Sequence, residues 1–285
     1  MKKIIWISSY PKSGNTWVRA IISSLLYSSD GNFNFNLLKL IEVFEKKNRF
    51  DFVKSLNEKD YNELDKIENI CKYWLECQEK LVFSKELNPI YNIFKTHSAN
   101  LTVNNNNFTN ENLTSGIIYI IRDPREVIIS YSSHMKKNFN DTMDAIFDQK
   151  RLLSAENNLA VALMSSWNIH YESWKTLNVP RLLIKYENLI NNPKKEIKKI
   201  SEFLGNTLSI NYDILMKKNL NVFNTTKIDI FRNYEKIKGF DEAPKNSLFF
   251  GNAKIDSWKE KLSTKQIIKV EDVFNKTMHE LEYLI

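Results

Sequence analysis

Residues 4–26 of this 285-residue chain, IIWISSYPKSGNTWVRAIISSLL, constrain its fold more than any other stretch. The apolar run Ile4 to Ile7 reads as a buried strand, and an apolar-faced helix is expected from about Thr16 to Tyr27. Between them lies a short polar turn, Ser9-Tyr10-Pro11-Lys12-Ser13-Gly14-Asn15. Strand, tight turn and helix in this order make an anion-binding device. The first-turn amides of a helix have no intrahelical acceptor, and the helix dipole places positive potential there. Gly14 lets the backbone approach a phosphate closely, and Lys12 adds a full positive charge. The plain alternative is an ordinary strand-loop-helix junction capped by Ser13 or Thr16.

This is not the cradle of the common NTPases. That loop requires G-x-x-x-x-G-K-[ST], with lysine directly after glycine and a hydroxyl for magnesium. None of the six glycines here is followed by lysine. In residues 11–17, P-K-S-G-N-T-W, the lysine comes before the glycine instead. The arrangement resembles the 5′-phosphosulfate loop of the sulfotransferases that use 3′-phosphoadenosine 5′-phosphosulfate (PAPS), at all seven positions. The resemblance implies that Lys12, Ser13, Gly14, Asn15 and Thr16 bind the nucleotide, with Trp17 positioned to stack on its base.

Three further motifs follow in order. Residues 117–135, IIYIIRDPREVIISYSSHM, run an apolar strand into Arg122-Asp123-Pro124, with Asp123 placed as N-cap and Pro124 at the first helical position. Arg122 then leaves the strand end, and Ser130 lies about two helical turns on. An arginine fork plus a hydroxyl suits a phosphate monoester. The stretch resembles the family's 3′-phosphate motif; otherwise Arg122 would pair with Asp123 or Glu126. Phe94-Lys95-Thr96-His97 follows a strand expected at 90–95, and the matching family histidine is the general base. The other histidines, His134, His170 and His279, fall within expected helices and read as structural or surface groups. Residues 181–189, RLLIKYENL, followed by Asn191-Asn192-Pro193, resemble the family's Y-E-D-L strand end, which makes Tyr186 the adenine contact.

One segment departs from the family pattern. Relatives carry Arg-Lys-Gly or Arg-Ser-Gly seven residues before a tryptophan, in a mobile lid over the 3′-phosphate. Counting back from Trp258, Gly251 stands where the arginine belongs and Ala253 where the glycine belongs. Lys254 keeps a charge close by, and Arg232, Lys238 or Lys245 is a further source. Loss of one charge-assisted contact costs on the order of 1.5–3 kcal/mol, which weakens nucleotide binding without abolishing it.

The alternation of strands and helices along the chain argues for a parallel sheet covered on both faces, with ligands at the carboxyl ends of its strands. Strands are expected at 116–121 and 181–185. Helices are expected at 124–135, 141–150, 160–176, 193–204 and 264–283. The resemblance implies a single domain over 1–285, a three-layer, P-loop-like α/β fold. Residues 32–90 form a helical insertion on the acceptor side and residues 227–257 a lid. These two, with residues 136–159, are expected to shape the acceptor pocket.

A net charge of +7, from 41 basic and 34 acidic residues, favours an anionic ligand only weakly. Neither a concentrated basic stripe nor a nucleic-acid-binding module is visible. Cys71 and Cys77 suggest neither a metal cluster nor a disulfide framework, and they read as reduced thiols. The opening MKKIIWISSYPK has too short an apolar run for a signal peptide, and no run reaches the roughly 18 residues of a membrane span. A cytoplasmic location is therefore expected, unlike that of the anchored Golgi-type sulfotransferases.

As the resemblance implies, the reaction moves a sulfuryl group from PAPS, a co-substrate, to a hydroxyl or amine without a metal. His97 would be the base, Lys12 would stabilise the leaving phosphate and Lys95 would assist at the sulfuryl oxygens. The acceptor is a small molecule, a carbohydrate or a glycopeptide, and the oligomeric state is not legible. Two alternatives stay open at this point: a P-loop small-molecule kinase, and a catalytically weak binder of adenosine bisphosphate.

Overall fold

The computed structural model describes residues 2–83, 90–154, 158–243, 249–251 and 254–284. In chain order its main elements are β1 (Ile4–Ser9), α1 (Asn15–Tyr27), α2 (Trp74–Phe83), β2 (Ile93–Thr96), β3 (Thr114–Ile121), α3 (Pro124–Met135), α4 (Phe139–Phe147), α5 (Trp167–Ser173), β4 (Arg181–Lys185), α6 (Tyr186–Asn191), α7 (Pro193–Leu208), α8 (Tyr212–Thr225), α9 (Ile228–Lys238), α10 (Thr264–Val273) and α11 (Asn275–Glu280). The architecture is mixed α/β around a central parallel sheet in the order β2-β1-β3-β4. This is the class that the strand-helix alternation predicts. The chain divides into two compact units, residues 1–10, 41–119 and 148–183 in the first, residues 11–40, 120–147 and 184–285 in the second.

In the first unit β1 is an inner strand and every one of its residues is buried, as an apolar run without alternation requires. Its parallel partner β2 is in register from Ile5 opposite Ile93 to Ser8 opposite Thr96. The core is aromatic and centres on Trp6, which is fully buried. Its indole packs edge-on against Phe44 with centroids 5.1 Å apart, and lies 5.3 Å from Phe108 and 5.9 Å from Trp174. Its Nε1 donates to Thr114 Oγ1 at 3.1 Å, which satisfies the one polar atom the ring buries.

Residues 32–90 are less regular than expected. The described part consists of 3₁₀ segments, single-turn helices and α2, and residues 84–89 lie outside the described residues. Residues 42–45 even run alongside β2: Phe44 N donates to Lys95 O and Lys95 N donates to Glu42 O. The helix expected at 160–176 begins only at Trp167. Ala162–Leu163 pairs antiparallel with Leu152–Leu153, and Ser165 at φ 60° breaks the chain direction before Ser166 opens α5. The apolar run 160–164 suits a strand as well as a helix, which is why periodicity alone misplaces it.

In the second unit α1 starts at Asn15 with Gly14, at φ 99°, as its N-cap, so neither Ser13 nor Thr16 caps it. Asp123 caps α3 by accepting from Arg125 N, and Pro124 occupies the first turn. α7 runs to Leu208, longer than expected. The stretch expected as one helix at 264–283 breaks at Phe274 into α10 and α11. Among the described residues no helix is long and apolar enough to cross a membrane.

Replacing Trp6 by Ala removes the largest shared contact of the first core. We expect a loss of about 3–5 kcal/mol in urea or thermal unfolding. Unfolding within 1 kcal/mol of the parent would show that the aromatic cluster does not depend on this ring.

Candidate functional site

The residues singled out by sequence fall into both units. Lys95 and His97 belong to the first; Lys12 to Trp17, Arg122, Ser130, Tyr186 and Lys254 belong to the second.

In the first unit, His97 directly follows β2, and its Nδ1 lies 2.7 Å from Ser9 O at the end of β1. A carbonyl only accepts, so Nδ1 carries the proton and the Nε2 lone pair is the basic one. His97 O in turn lies 3.1 Å from His170 Nε2, whose Nδ1 is 2.7 Å from the Tyr119 hydroxyl. The same logic orders this chain: Tyr119 O–H donates to His170 Nδ1, and His170 Nε2–H donates to His97 O. Burial lowers the His170 pKa to about 4, so this histidine is neutral. Thr96 and Ser98, on either side of His97, both donate to the Glu45 carboxylate, Ser98 at 2.7 Å. Burial raises the Glu45 pKa against those hydrogen bonds and the nearby Lys95 charge. Neither Glu45 nor the Tyr119–His170 pair is evident in the sequence. Glu45 sits in a stretch expected to be helical, and a histidine inside a helix carries no local sign of such a role.

In the second unit the loop before α1 is tightly fixed. Lys12 adopts φ 67° and its Nζ lies 3.3 Å from Phe249 O and 4.2 Å from the centre of the Phe249 ring. A Cβ on Gly14 would stand 2.7 Å from Cδ2 of Tyr186, so the loop packs directly on that ring. The Arg122 guanidinium lies 4.2 Å from the Tyr186 ring centre and donates to Lys12 O at 3.2 Å. Trp17 meets Tyr186 edge-on with centroids 6.2 Å apart. The structure thus gathers the loop before α1, Arg122, Tyr186 and Trp17 in one place. Ser130 is half-buried on α3 and makes no hydrogen bond with them among the described residues. Arg122 also pairs with the buried Glu126 at 3.2 Å, the pairing that sequence left open.

Phe249 and Lys254, in the segment expected as a lid, contact Lys12 and Arg122. Glu235 on α9 accepts from Phe249 N and Phe250 N. Arg232 donates to Gly251 O through Nε at 2.8 Å and Nη2 at 2.5 Å, and Arg122 Nη2 lies 3.5 Å from Lys254 O. Beyond it, Ser257 Oγ and Trp258 N both donate to Glu126. Thr16 Oγ1 and Arg19 both reach Glu242, at 3.2 and 2.6 Å. Glu242 was not singled out by sequence. Lys245 and Ala253 lie outside the described residues.

Two buried donors in this unit fit a bound nucleotide with two phosphate groups. Ser13 Oγ, in the loop, and Arg122 Nε, in the second motif, are buried and have no hydrogen-bond partner among the described residues. A buried polar atom is costly without a partner, so each marks a place suited to a polar ligand. The thiols of Cys71 and Cys77 are buried with raised pKa values, that of Cys77 to about 12, which leaves them unreactive.

The His170 pKa carries a stability consequence. Its folded value, about 4, lies below the ordinary 6.5, so between these values the unfolded chain binds more protons. The contribution is complete above pH 6.5 and is lost as pH falls toward 4. It amounts to about 3 kcal/mol. Unfolding curves of the parent and of His170→Asn between pH 7 and 4 should converge as pH falls. Parallel curves would show that His170 does not titrate in this window.

Residues 2–282 match the family described as the sulfotransferase domain. Mouse sulfotransferase 1B1 is 30% identical over 206 residues, 72% of this chain but 59% of that protein. Dog sulfotransferase 1B1 is 25% identical over 281 residues, 96% of this chain and 83% of that protein. Among solved structures, mouse sulfotransferase SULT7A1 complexed with PAP superposes at TM-score 0.54 with 17% identity, over 98% of this chain and 85% of that one. Retinol dehydratase in a complex with retinol and PAP superposes at 0.56 with 15% identity, over 96% and 81%. With a family match over nearly its whole length, the chain belongs to the sulfotransferase domain family.

Proposed function

We propose that this chain transfers a sulfuryl group from PAPS to a hydroxyl or amine of a small-molecule, carbohydrate or glycopeptide acceptor, with His97 as general base. The observation that carries the reading is the pair of buried, unpartnered donors, Ser13 Oγ and Arg122 Nε, one on each phosphate motif. The PAP named in both solved neighbours is the nucleotide left after PAPS gives up its sulfuryl group. In this reading residues 1–285 act as one domain in the cytoplasm, with residues 32–90 on the acceptor side and residues 227–257 as the lid.

Lys12, Ser13, Gly14, Asn15 and Thr16 would hold the 5′ end of the donor, Arg122 and Ser130 the 3′-phosphate, and Trp17 and Tyr186 the adenine side. His97 Nε2 takes the acceptor proton as the acceptor oxygen or nitrogen forms its bond to sulfur. The bond from sulfur to the bridging oxygen breaks, and its electron pair stays on the 5′-phosphate. Lys12 and the α1 amides stabilise that charge where it develops, and Lys95 offsets charge on the sulfuryl oxygens. The hydrogen bond to Ser9 O presets the tautomer this step needs.

Calorimetric titration without magnesium should give micromolar binding of adenosine 3′,5′-bisphosphate and binding at least tenfold weaker for AMP. Equal, weak binding of the two would overturn the reading. Once an acceptor is found among phenols, sugars and glycopeptides, His97→Ala should lower kcat by about a hundredfold or more and leave bisphosphate affinity unchanged. Turnover equal to the parent would remove His97 as the base.

A further inference from the structure

The segment around residue 251 raises a question about the second phosphate, because glycine stands there where the family resemblance implies an arginine. Glycine is not needed there for backbone reasons. Gly251 does not adopt a left-handed conformation, and a Cβ added to it would meet nothing within 4 Å among the described residues. Local packing therefore does not explain the missing side chain, and space is left beside the backbone.

Of the cations that sequence offers in compensation, only one is directed at this segment among the described residues. Lys238 is exposed at the end of α9. Lys254 is exposed too, and it presents its carbonyl rather than its ammonium to Arg122. Arg232, on α9, is three-quarters buried at its side chain and is braced by Asp229 at 3.0 Å on Nη1. Its other edge, Nε and Nη2, closes on the Gly251 carbonyl oxygen. This is the edge with which a guanidinium grips phosphate, two parallel N–H groups meeting an acceptor.

Arg122 repeats the pattern on the neighbouring residues, with Nη2 on Lys254 O and Nε buried without a partner. The two guanidiniums share one electrostatic neighbourhood: burial raises the pKa of the Tyr186 phenol, and both Arg122 and Arg232 act to lower it. Two cations thus hold neutral carbonyls of one short segment, on the side of the site where the 3′-phosphate motif lies. A phosphate oxygen makes a stronger, charge-assisted bond than a carbonyl does, so exchange of carbonyl for phosphate is favourable.

We propose that Arg232 supplies the lid-side cation of the 3′-phosphate subsite, in place of the arginine absent at Gly251. The proposal rests on the PAPS reading above, and its test separates the two. Calorimetry compares adenosine 3′,5′-bisphosphate with AMP on the full-length parent, on Arg232→Gln, and on Arg232→Gln combined with Gly251→Arg. Arg232→Gln should bind the bisphosphate roughly ten- to a hundredfold more weakly and AMP as the parent does, which also shows that the variant is folded. The added arginine in the double variant should restore most of the lost affinity for the bisphosphate.

A parent that does not discriminate the two nucleotides sinks the PAPS reading itself. A parent that discriminates while Arg232→Gln keeps full discrimination overturns the role of Arg232 alone. Equal losses for both nucleotides would also overturn it, since they would make Arg232 a brace for the lid rather than a phosphate ligand. A double variant as weak for the bisphosphate as the single one would overturn the claim that the two positions serve one phosphate.

Discussion

Gly14 holds its place in the loop only because nothing projects from its Cα. At φ 99° it turns the chain into α1, and the face a side chain would occupy is filled by the Tyr186 ring. The ring in turn carries the Arg122 guanidinium at 4.2 Å, and Arg122 reaches back to Lys12 O two residues before Gly14. Loop backbone, ring and guanidinium thus form a closed circuit. A desolvated cation–π contact is worth up to about 2 kcal/mol, and here it also fixes the carbonyl that shapes the loop. The loop before α1 and the Arg122 segment, far apart in sequence, are therefore set by one stack.

The same stack explains how the second unit tolerates buried cations. Arg122 is held by the carboxylate of Glu126, which also receives Ser257 and Trp258, so the chain downstream of the lid is tied to the residue that neutralises the arginine. A buried pair of this kind contributes little net stability, because desolvation offsets most of the attraction. Its effect is positional. Upstream, Glu235 fixes the amides of Phe249 and Phe250, and Lys12 meets the Phe249 carbonyl and ring. Carbonyls of Phe249, Gly251 and Lys254 and the Glu242 carboxylate lie against Lys12, Arg122, Arg232, Thr16 and Arg19, so these polar groups already have acceptors rather than forming a bare cationic surface.

What was legible in the sequence follows from how local each signal is. The helix start at Pro124 and the strand at Arg181–Lys185 fall where expected, because Asp-Pro capping and an apolar run ending in Lys-Tyr need no distant partner. The loop, Arg122 and His97 follow strand ends as expected, where backbone geometry leaves few options. α8 was missed: Leu215 and Val222 are its only buried residues while Ile214 and Leu220 are exposed, so its pattern has no clear face. His170 is the buried structural histidine expected within a helix, but its partners, like the position of Glu45, come from tertiary neighbours. A carboxylate beside Val43 and Phe44 gains meaning only once residues 42–45 run along β2.

The first unit answers a different physical need, that of holding one imidazole in one state. His97 is fixed at two points: its ring by a carbonyl at the end of β1, and its own carbonyl by His170. His170 can serve this way only while neutral, because the Tyr119 hydroxyl donates to its Nδ1, and burial keeps it neutral. A carboxylate partner for the His97 ring would bring a counter-charge into the core, with its desolvation cost. A backbone carbonyl orients the same Nδ1–H without one. The ring is thus preset by dipoles belonging to the sheet itself. An imidazole held in this way depends on strand register more than on any neighbouring charge, and the aromatic core around Trp6 on β1 supports that register.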